Sequence, residues 1–317
     1  MKKFFYPIAF AAAVLAFGSC SNEDATPVEP PKYITVTTEI SAMTRVATDS
    51  DGNQSFENGD VISVYAWTGT NKEGEIVAPA KGDRVVDNSH NTLTGNSWTA
   101  EPRMLWRDMR EKHYFIGVYP AIEQGKGLDD DLTKYAYTLD PADEKASDLL
   151  VAVQTDGILA GYGSVPLAFT HIMAKVNVNL TYRNQWGVDD AGNNIKPTVS
   201  SVQLVGTANQ ATVNLLTKEV TPAESRANQT LPAVAENTKY SSLVIPQGQV
   251  NKVIIVIDGK NYVYTHNTDI EFESGKVTTI NLSVGRDVIT LSGVTIDPWN
   301  EASDPISGDA LEELAGE

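Results

Sequence analysis

Apolar and polar residues alternate along short stretches of this chain, a pattern that predicts β-strands separated by turns. The first such stretch is 33–40, in which Ile34, Val36 and Ile40 are the apolar positions and their neighbours are mostly polar. Turn residues separate the later stretches, and Asp258-Gly259-Lys260-Asn261 predicts a hairpin. The other strand-like stretches are 61–65, 113–119, 149–153, 175–180, 202–205, 211–215, 243–245, 253–257, 262–264, 277–284, 288–291 and 294–296.

The succession of short strands without intervening helices predicts an all-β fold made of antiparallel β-sandwiches. A chain of 317 residues favours two domains, because single cores stop growing near this size. Gly161, Gly163 and Pro166 interrupt a strand-rich region, and we therefore predict one domain over 46–162 and a second over 163–317. Helical character is predicted only at 101–111 and, marginally, at 309–317.

Charge and cysteine content exclude several classes of function. Asp and Glu number 41 against 24 Lys and Arg, which gives a formal net charge of −17. Since no run of basic residues offsets this excess, we predict no nucleic-acid partner. The single cysteine excludes a disulfide scaffold and a multi-thiolate metal site within one chain.

The N-terminus has the features of a secretory signal. Two lysines precede an apolar run at 4–17 that is too short to span a bilayer, and small residues then lead to Cys20. Phe17-Gly18-Ser19-Cys20 resembles a lipobox, which implies removal of residues 1–19 and lipid attachment at Cys20. Plain cleavage that leaves an unused thiol is the alternative. Ser21-Asn22-Glu23-Asp24 resembles the acidic tag that exports lipoproteins of Bacteroidetes to the outer face of the outer membrane.

A tether and one strand follow the cysteine. Residues 25–32 are rich in proline and glutamate and predict an extended tether, after which the strand at 33–40 begins. Residues 41–53 are polar and lack periodicity, so Arg45 is predicted to lie in an accessible loop.

No motif in the sequence predicts an enzyme. His90, His113, His171 and His266 lie in no recognised catalytic context, and there is no nucleophile elbow, zinc motif or phosphate-binding loop. We predict no catalytic residue, no metal and no cofactor, although paired carboxylates from distant strands would leave no local spacing. The five tryptophans suit either a sugar-stacking platform or core packing, the commoner use; they are Trp67, Trp98, Trp106, Trp186 and Trp299.

Four segments, in order, resemble the fimbrillin-like proteins of Bacteroidales, the subunits of type V pili. Phe56-Glu57-Asn58-Gly59-Asp60-Val61-Ile62-Ser63-Val64-Tyr65 is similar to the family segment F-x-x-G-D-x-I-x-V-Y. The other three are 114–120 after Trp106, 167–176, and the terminal Val294-Thr295-Ile296-Asp297-Pro298-Trp299. Together with the lipoprotein leader, they span nearly the whole chain.

This resemblance implies two transthyretin-like β-sandwich domains in tandem, export as a lipoprotein, cleavage by an arginine-specific protease, and polymerisation by strand exchange. The cleavage site carries over to Arg45, within Met43-Thr44-Arg45-Val46. Val46 departs from the alanine that is commoner after this arginine. Residues 20–45 would then form the tether and a removable strand, with Ile34, Val36 and Ile40 filling a groove in the first sandwich.

The β-branched C-terminal stretches are the predicted donor strand, with Val288, Leu291, Val294 and Ile296 as its apolar residues. Ordinary edge strands of the second sandwich are the alternative. The expected function is a structural or adhesive subunit of a fimbrium, at its stalk or tip, although an anchor role stays open. Its expected partners are other fimbrial subunits in a homo- or hetero-polymer, the arginine-specific protease, the outer membrane before processing, and a host or bacterial surface ligand. The alternative function is a surface lipoprotein that binds glycan or protein ligands and does not polymerise.

Overall fold

A computed structural model describes residues 32–40, 55–69, 77, 80–123, 131–286, 289–298 and 308–309. The predicted signal peptide, Cys20, the bond between Arg45 and Val46, and Val288 all lie outside the described residues. Within the described ranges, helical structure consists of α1 (Glu144–Ser147) and two 3₁₀ turns (Lys81–Asp83 and Asn184–Trp186). The prediction of an all-β fold is therefore confirmed.

The strands are β1 (Val36–Ile40), β2 (Val61–Thr68), β3 (Val86–Thr94), β4 (Ser97–Glu101), β5 (His113–Tyr119), β6 (Tyr135–Thr138), β7 (Leu150–Ile158), β8 (Val165–His171), β9 (Ala174–Tyr182), β10 (Val199–Thr207), β11 (Gln210–Val213), β12 (Val220–Pro222), β13 (Ala227–Thr230), β14 (Ala233–Ala235), β15 (Lys239–Val244), β16 (Gln247–Ile257), β17 (Lys260–Phe272), β18 (Lys276–Val284), β19 (Ile289–Pro298) and β20 (Gly308–Asp309).

Seven strands form the first sheet, in the order β1-β8-β7-β5-β2-β3-β4. Successive side chains of a strand point to opposite faces of a sheet, yet every residue of the central strand β5 is buried. Tyr114, Ile116 and Val118 of β5 join one core, and Phe115 and Tyr119 join another. The first sheet is therefore covered on both faces.

A β-sandwich accounts for most of the remaining strands. The sheets β13-β10-β16-β17 and β14-β15-β9-β18-β19-β20 share one core, filled by alternate residues such as Val176 of β9 and Val253 of β16. The three-stranded sheet β12-β11-β6 contributes Val213 to the core on one face of the first sheet. Most neighbouring strands are antiparallel as predicted, but β1–β8 and β9–β18 are parallel.

The hairpin predicted around Asp258-Gly259 is confirmed. Ile257 pairs with Lys260, and the two residues between them have φ of 50° and 75°, the left-handed geometry of a two-residue type I′ turn. Glycine adopts this geometry without a steric penalty, which explains why this dipeptide joins β16 to β17.

Two local predictions are wrong. No helical turn forms at 101–111, because Leu105 is bridged to Tyr33 and its backbone is extended. The stretches 288–291 and 294–296 are not separate strands: β19 continues through Ser292 and Gly293 as one strand. An irregularity in its pairing with β18, between Asn281 and Leu282, absorbs the change of register.

The domain division between residues 162 and 163 remains a prediction, and it does not coincide with a division between sheets. β8 follows this point, yet it pairs with β7 and β1 of the first sheet. β6 precedes it and pairs with β11. Pro166 is part of β8 and does not interrupt it. Because β7 pairs only with residues 169–171 of β8, the strand β8 has β1 as its one neighbour at the proline, a position where a missing amide hydrogen is tolerated.

Candidate functional site

The N-terminal strand β1 lies at one edge of the first sheet and pairs with β8 alone among the described strands of that sheet. The pairing is parallel and runs from Val36 opposite Val165 to Ile40 opposite Phe169. It is a long-range contact, which no local sequence pattern predicts. The alternation of 33–40 did predict the strand itself.

The alternate side chains of this segment are buried in the core on the face of the first sheet that includes Phe115 and Tyr119. Ile34 is 3% exposed and Val36 is 4% exposed, and Ile40 is partly buried against the same core. These residues share that core with Val165, Leu167, Phe169 and Met104. Burying a side chain of this size contributes about 1.5–3 kcal/mol to stability, so β1 is an integral part of the core.

Backbone hydrogen bonds hold the beginning of the segment on two sides. The Ile34 amide donates to the Met104 carbonyl at 3.0 Å, and the Trp106 amide donates to the Lys32 carbonyl at 3.2 Å. On the other side, the Val165 amide donates to the Thr35 carbonyl at 2.8 Å. Residues 32–35 thus lie between two extended segments.

A groove flanks the other end of β1, with a volume of about 530 Å³. It separates β1 from β4, the strand at the opposite edge of the same sheet. One hydrogen bond crosses between these two strands, from Trp98 Nε1 to Thr38 Oγ1 at 3.0 Å. The residues that line the groove are Thr37, Thr38, Glu39, Ile40, Ser55, Phe56, Leu93, Gly95, Asn96 and Trp98.

Phe56 forms the aromatic floor of this groove. Its ring makes edge contacts with Trp98, Tyr119 and Phe169, at centroid distances of 5.2–5.3 Å. Such contacts add to the stabilisation from apolar burial. The groove therefore joins the sandwich core directly, and sequence analysis did not identify it because its walls come from distant strands.

The segment that contains Arg45 connects two residues of this groove. Ile40, where β1 ends, and Ser55, where the described chain resumes, both line it. A cut within 41–54 would leave β1 attached to the rest of the chain by non-covalent contacts alone. Arg45 and Val46 lie outside the described residues, and their processing remains a prediction.

The C-terminal strand β19 pairs along its length with β18. Ile289 and Leu291 are buried in the second sandwich core, and Val294 is partly buried against it, whereas Ile296 is 38% exposed. Of the predicted donor residues that the structure describes, Leu291 thus has an intramolecular role, while Ile296 faces solvent. Neither placement tests strand donation.

A smaller cavity of about 260 Å³ adjoins the groove at Ser55, and charged residues dominate its lining. Lys145 Nζ lies 3.1 Å from Glu57 Oε2 and 3.1 Å from Asp60 Oδ1. The Tyr119 hydroxyl donates to Asp60 Oδ1 at 3.3 Å. Burial, together with the nearby Asp60 carboxylate, raises the pKa of Tyr119, so this hydroxyl stays protonated.

The four histidines make contacts within the fold. His171 Nδ1 lies 2.6 Å from Asp148 Oδ1, His90 Nε2 lies 2.7 Å from the Ile122 carbonyl, and His266 contacts Tyr264. His113 Nε2 accepts from the Arg107 amide at 3.1 Å. Among the described residues, no three His, Cys, Asp or Glu side chains are grouped to hold a metal ion.

The four described tryptophans pack against other rings. Trp67 stacks on Tyr114 at 6.3 Å, Trp106 meets His113 at 4.9 Å, and Trp186 meets Tyr262 at 5.9 Å. Trp98 meets Phe56 at 5.3 Å and also lines the groove. These contacts agree with the packing interpretation, and Trp299 is not described. In the part of the chain that the structure describes, no helix is long and apolar enough to cross a membrane.

The fold is shared with solved structures, two of which have TM-scores of 0.60 and 0.61. A protein from Bacteroides ovatus ATCC 8483, described as a cell adhesion protein, has a TM-score of 0.61 and 18% identity, over 86% of this chain and 99% of that one. A protein from Bacteroides uniformis ATCC 8492, with the same description, has a TM-score of 0.60 and 16% identity, over 84% and 98% of the respective chains. At these identities the similarity establishes the fold alone. No curated protein matches the chain.

The family is established by sequence. The fimbrillin-like family profile matches residues 44–299, and the chain therefore belongs to the fimbrillin-like family. The predicted resemblance is confirmed. The family consists of fimbrial proteins rather than enzymes, which assigns the chain to the fimbriae of the cell surface with other fimbrial subunits as partners.

Proposed function

We propose that this protein is a stalk or tip subunit of a type V-like fimbrium that polymerises by donor-strand exchange. It is exported as an outer-membrane lipoprotein through Cys20 and is cut after Arg45 by an arginine-specific protease. The segment 20–45 then leaves with β1, and an extended segment of a neighbouring subunit takes its place. The position of β1 carries the proposal: a buried edge strand whose covalent link to the sandwich runs through Arg45.

Loss of β1 has two energetic consequences. It would expose the core around Ile34 and Val36, whose burial contributes about 1.5–3 kcal/mol each. It would also leave the edge of β8 without a hydrogen-bonding partner along 165–169. An incoming β-strand with alternating apolar residues restores both interactions, which makes the vacated site specific for such a segment.

The C-terminal strand supplies that segment in the proposed mechanism, with Val288, Leu291, Val294 and Ile296 as the inserted residues. In the described sheet, β19 has only the short strand β20 on its other side, but its pairing with β18 along its length has to break before it leaves. Ile296 is already exposed, and Val294 is partly so.

One observation favours the alternative of a non-polymerising surface lipoprotein that binds glycan or protein ligands. Ile289 and Leu291 are 2% and 8% exposed in the core of their own sandwich, so their donation to a neighbour has an intramolecular cost. If β19 stays in place, the chain keeps its edge strands and remains monomeric.

Treatment with an arginine-specific protease separates the two functions. The control is Arg45→Lys, which preserves the charge but removes the recognised residue. We expect the cut parent chain to begin at Val46 by intact mass and to form a ladder of oligomers in size-exclusion chromatography, while Arg45→Lys stays monomeric. A cut parent chain that remains monomeric, or that retains residues 20–45, would contradict the proposal.

A further inference from the structure

The segment 34–40, which consists of β1 and the two residues before it, is held unequally at its two ends. At its beginning, the Ile34 amide bonds to Met104 and the Thr35 carbonyl accepts from Val165, so the segment is held from both sides. At its end, Thr37 to Ile40 pair with β8 on one side and face the groove on the other. Trp98 supplies the hydrogen bond from β4 to this half of the strand, through the side chain of Thr38.

The groove has the form needed to receive an extended segment. It runs beside the β1 edge and has Phe56, Leu93 and Trp98 as apolar and aromatic lining. Thr37, Ser55 and Asn96 provide polar groups at the same site. β1 lies between the groove and β8, because Ile40 both lines the groove and pairs with Phe169.

We propose that this groove is the first docking site for the incoming strand of a second copy of this chain, so that the segment 34–40, which contains β1, is displaced from its Ile40 end toward its Ile34 end. The inference rests on the proposed function and adds the direction of exchange. A strand that docks here needs to break only the contacts of one β1 residue at a time, starting beside the cut segment. Entry from the other end would first have to break the Met104 and Trp106 bonds.

The occupant is identified by its side-chain pattern. Ile34-Thr35-Val36 has an apolar–threonine–apolar order, and β19 repeats it in Ile289-Thr290-Leu291 and in Val294-Thr295-Ile296. Ile289 and Leu291 of the first copy are buried in their own sandwich, whereas Ile296 of the second copy is 38% exposed. The 294–296 copy is therefore the part of β19 that enters the groove first.

The test uses two variants that each remove one hydroxyl from the segment 34–40 and keep a β-branched side chain. Thr38→Val removes the acceptor of the Trp98 bond at the groove end, and Thr35→Val removes the 2.9 Å contact with Ser164 at the other end. After cleavage of each full-length chain, the rate of oligomer formation is followed by size-exclusion chromatography. We expect Thr38→Val to assemble about twofold to tenfold faster than the parent, the effect of one lost hydrogen bond, and Thr35→Val to match the parent.

A second pair of variants blocks the groove without touching β1. Asn96 is exposed in the β3–β4 turn, and Asn96→Trp would fill the groove. Asn261→Trp, at the exposed β16–β17 hairpin, is the control. We expect the first to lose assembly over the time in which the parent completes it, and the second to assemble normally.

Hydrogen exchange of the uncut chain checks the direction independently. We expect the amides of 37–40 to exchange faster than those of 34–36. The reverse order, equal rates for the two threonine variants, or parent-like assembly of Asn96→Trp would each overturn the inference. Loss of glycan-array binding by Asn96→Trp with unchanged assembly would identify a sugar site instead. A parent chain that never oligomerises after cleavage would overturn the proposed function, and this inference with it.

Discussion

Val36 of β1 lies opposite Val165 of β8 in a parallel pair, and the two side chains are 4% and 1% exposed in one core. At this position the strand that carries the tether is packed closely against its neighbour. This relationship makes the N-terminal segment part of the fold.

Truncation of Ile34 should destabilise the protein. Ile34→Ala removes a side chain that is 3% exposed, and we expect the free energy of unfolding to fall by about 2–5 kcal/mol in urea titrations. Thr37→Ala, at an exposed position of the same strand, is the control and should change it little. Similar losses for both variants would contradict the packing of β1.

The Gly117 position should not tolerate a side chain. A Cβ atom there would lie 2.6 Å from Phe169 Cζ and 3.2 Å from Leu167 Cδ1, and both of these side chains are buried in the core. We expect Gly117→Ala to lower the free energy of unfolding by about 1–3 kcal/mol. A Cβ atom at Gly163 meets no atom within 4 Å, so Gly163→Ala should leave the free energy of unfolding nearly unchanged. Thermal and urea unfolding of both variants measure the difference.

Acidification should destabilise the fold through His113. Burial lowers the pKa of this imidazole, and Nε2 must be unprotonated to accept from the Arg107 amide. Because the unfolded state then binds the proton more readily, stability is retained above an ordinary histidine pKa of about 6.5 and is lost as the pH falls below it.

His113→Gln measures this contribution, since the amide oxygen keeps an acceptor that does not titrate. Unfolding midpoints of the parent should drop between about pH 7 and pH 5, and the variant should have a flatter profile over that interval. A parental slope in His113→Gln would assign the effect to other groups.

The N-terminus of the protein on the cell surface should report its maturation. Unprocessed lipoprotein should begin at Cys20, carry palmitate label, and lose that label in Cys20→Ser. Assembled subunits should begin at Val46 and carry no lipid. Intact mass spectrometry distinguishes these forms. Assembled material that still begins at Cys20 would indicate an anchor subunit, and surface protein that begins at Cys20 and is never assembled would indicate the non-polymerising alternative.

Local patterns were sufficient for part of the site and insufficient for the rest. The alternation of Ile34, Val36 and Ile40 predicted a strand, and it did so because side chains of a strand alternate between faces. It carried no information on the partner, since apolar alternation is common to nearly every strand here. The Trp98–Thr38 bond joins residues 60 positions apart, and the Thr35–Ser164 contact joins residues 129 apart.

The sequence by itself determined the all-β class, the Asp258-Gly259 hairpin and the family, because each depends on residues that are close together or on motifs in a fixed order. Only the tertiary structure decided that β1 pairs with β8, that β8 belongs to the first sheet, and that a groove separates β1 from β4. These features arise from the way the strands of the first sheet pack around one core. No single stretch of residues specifies that packing.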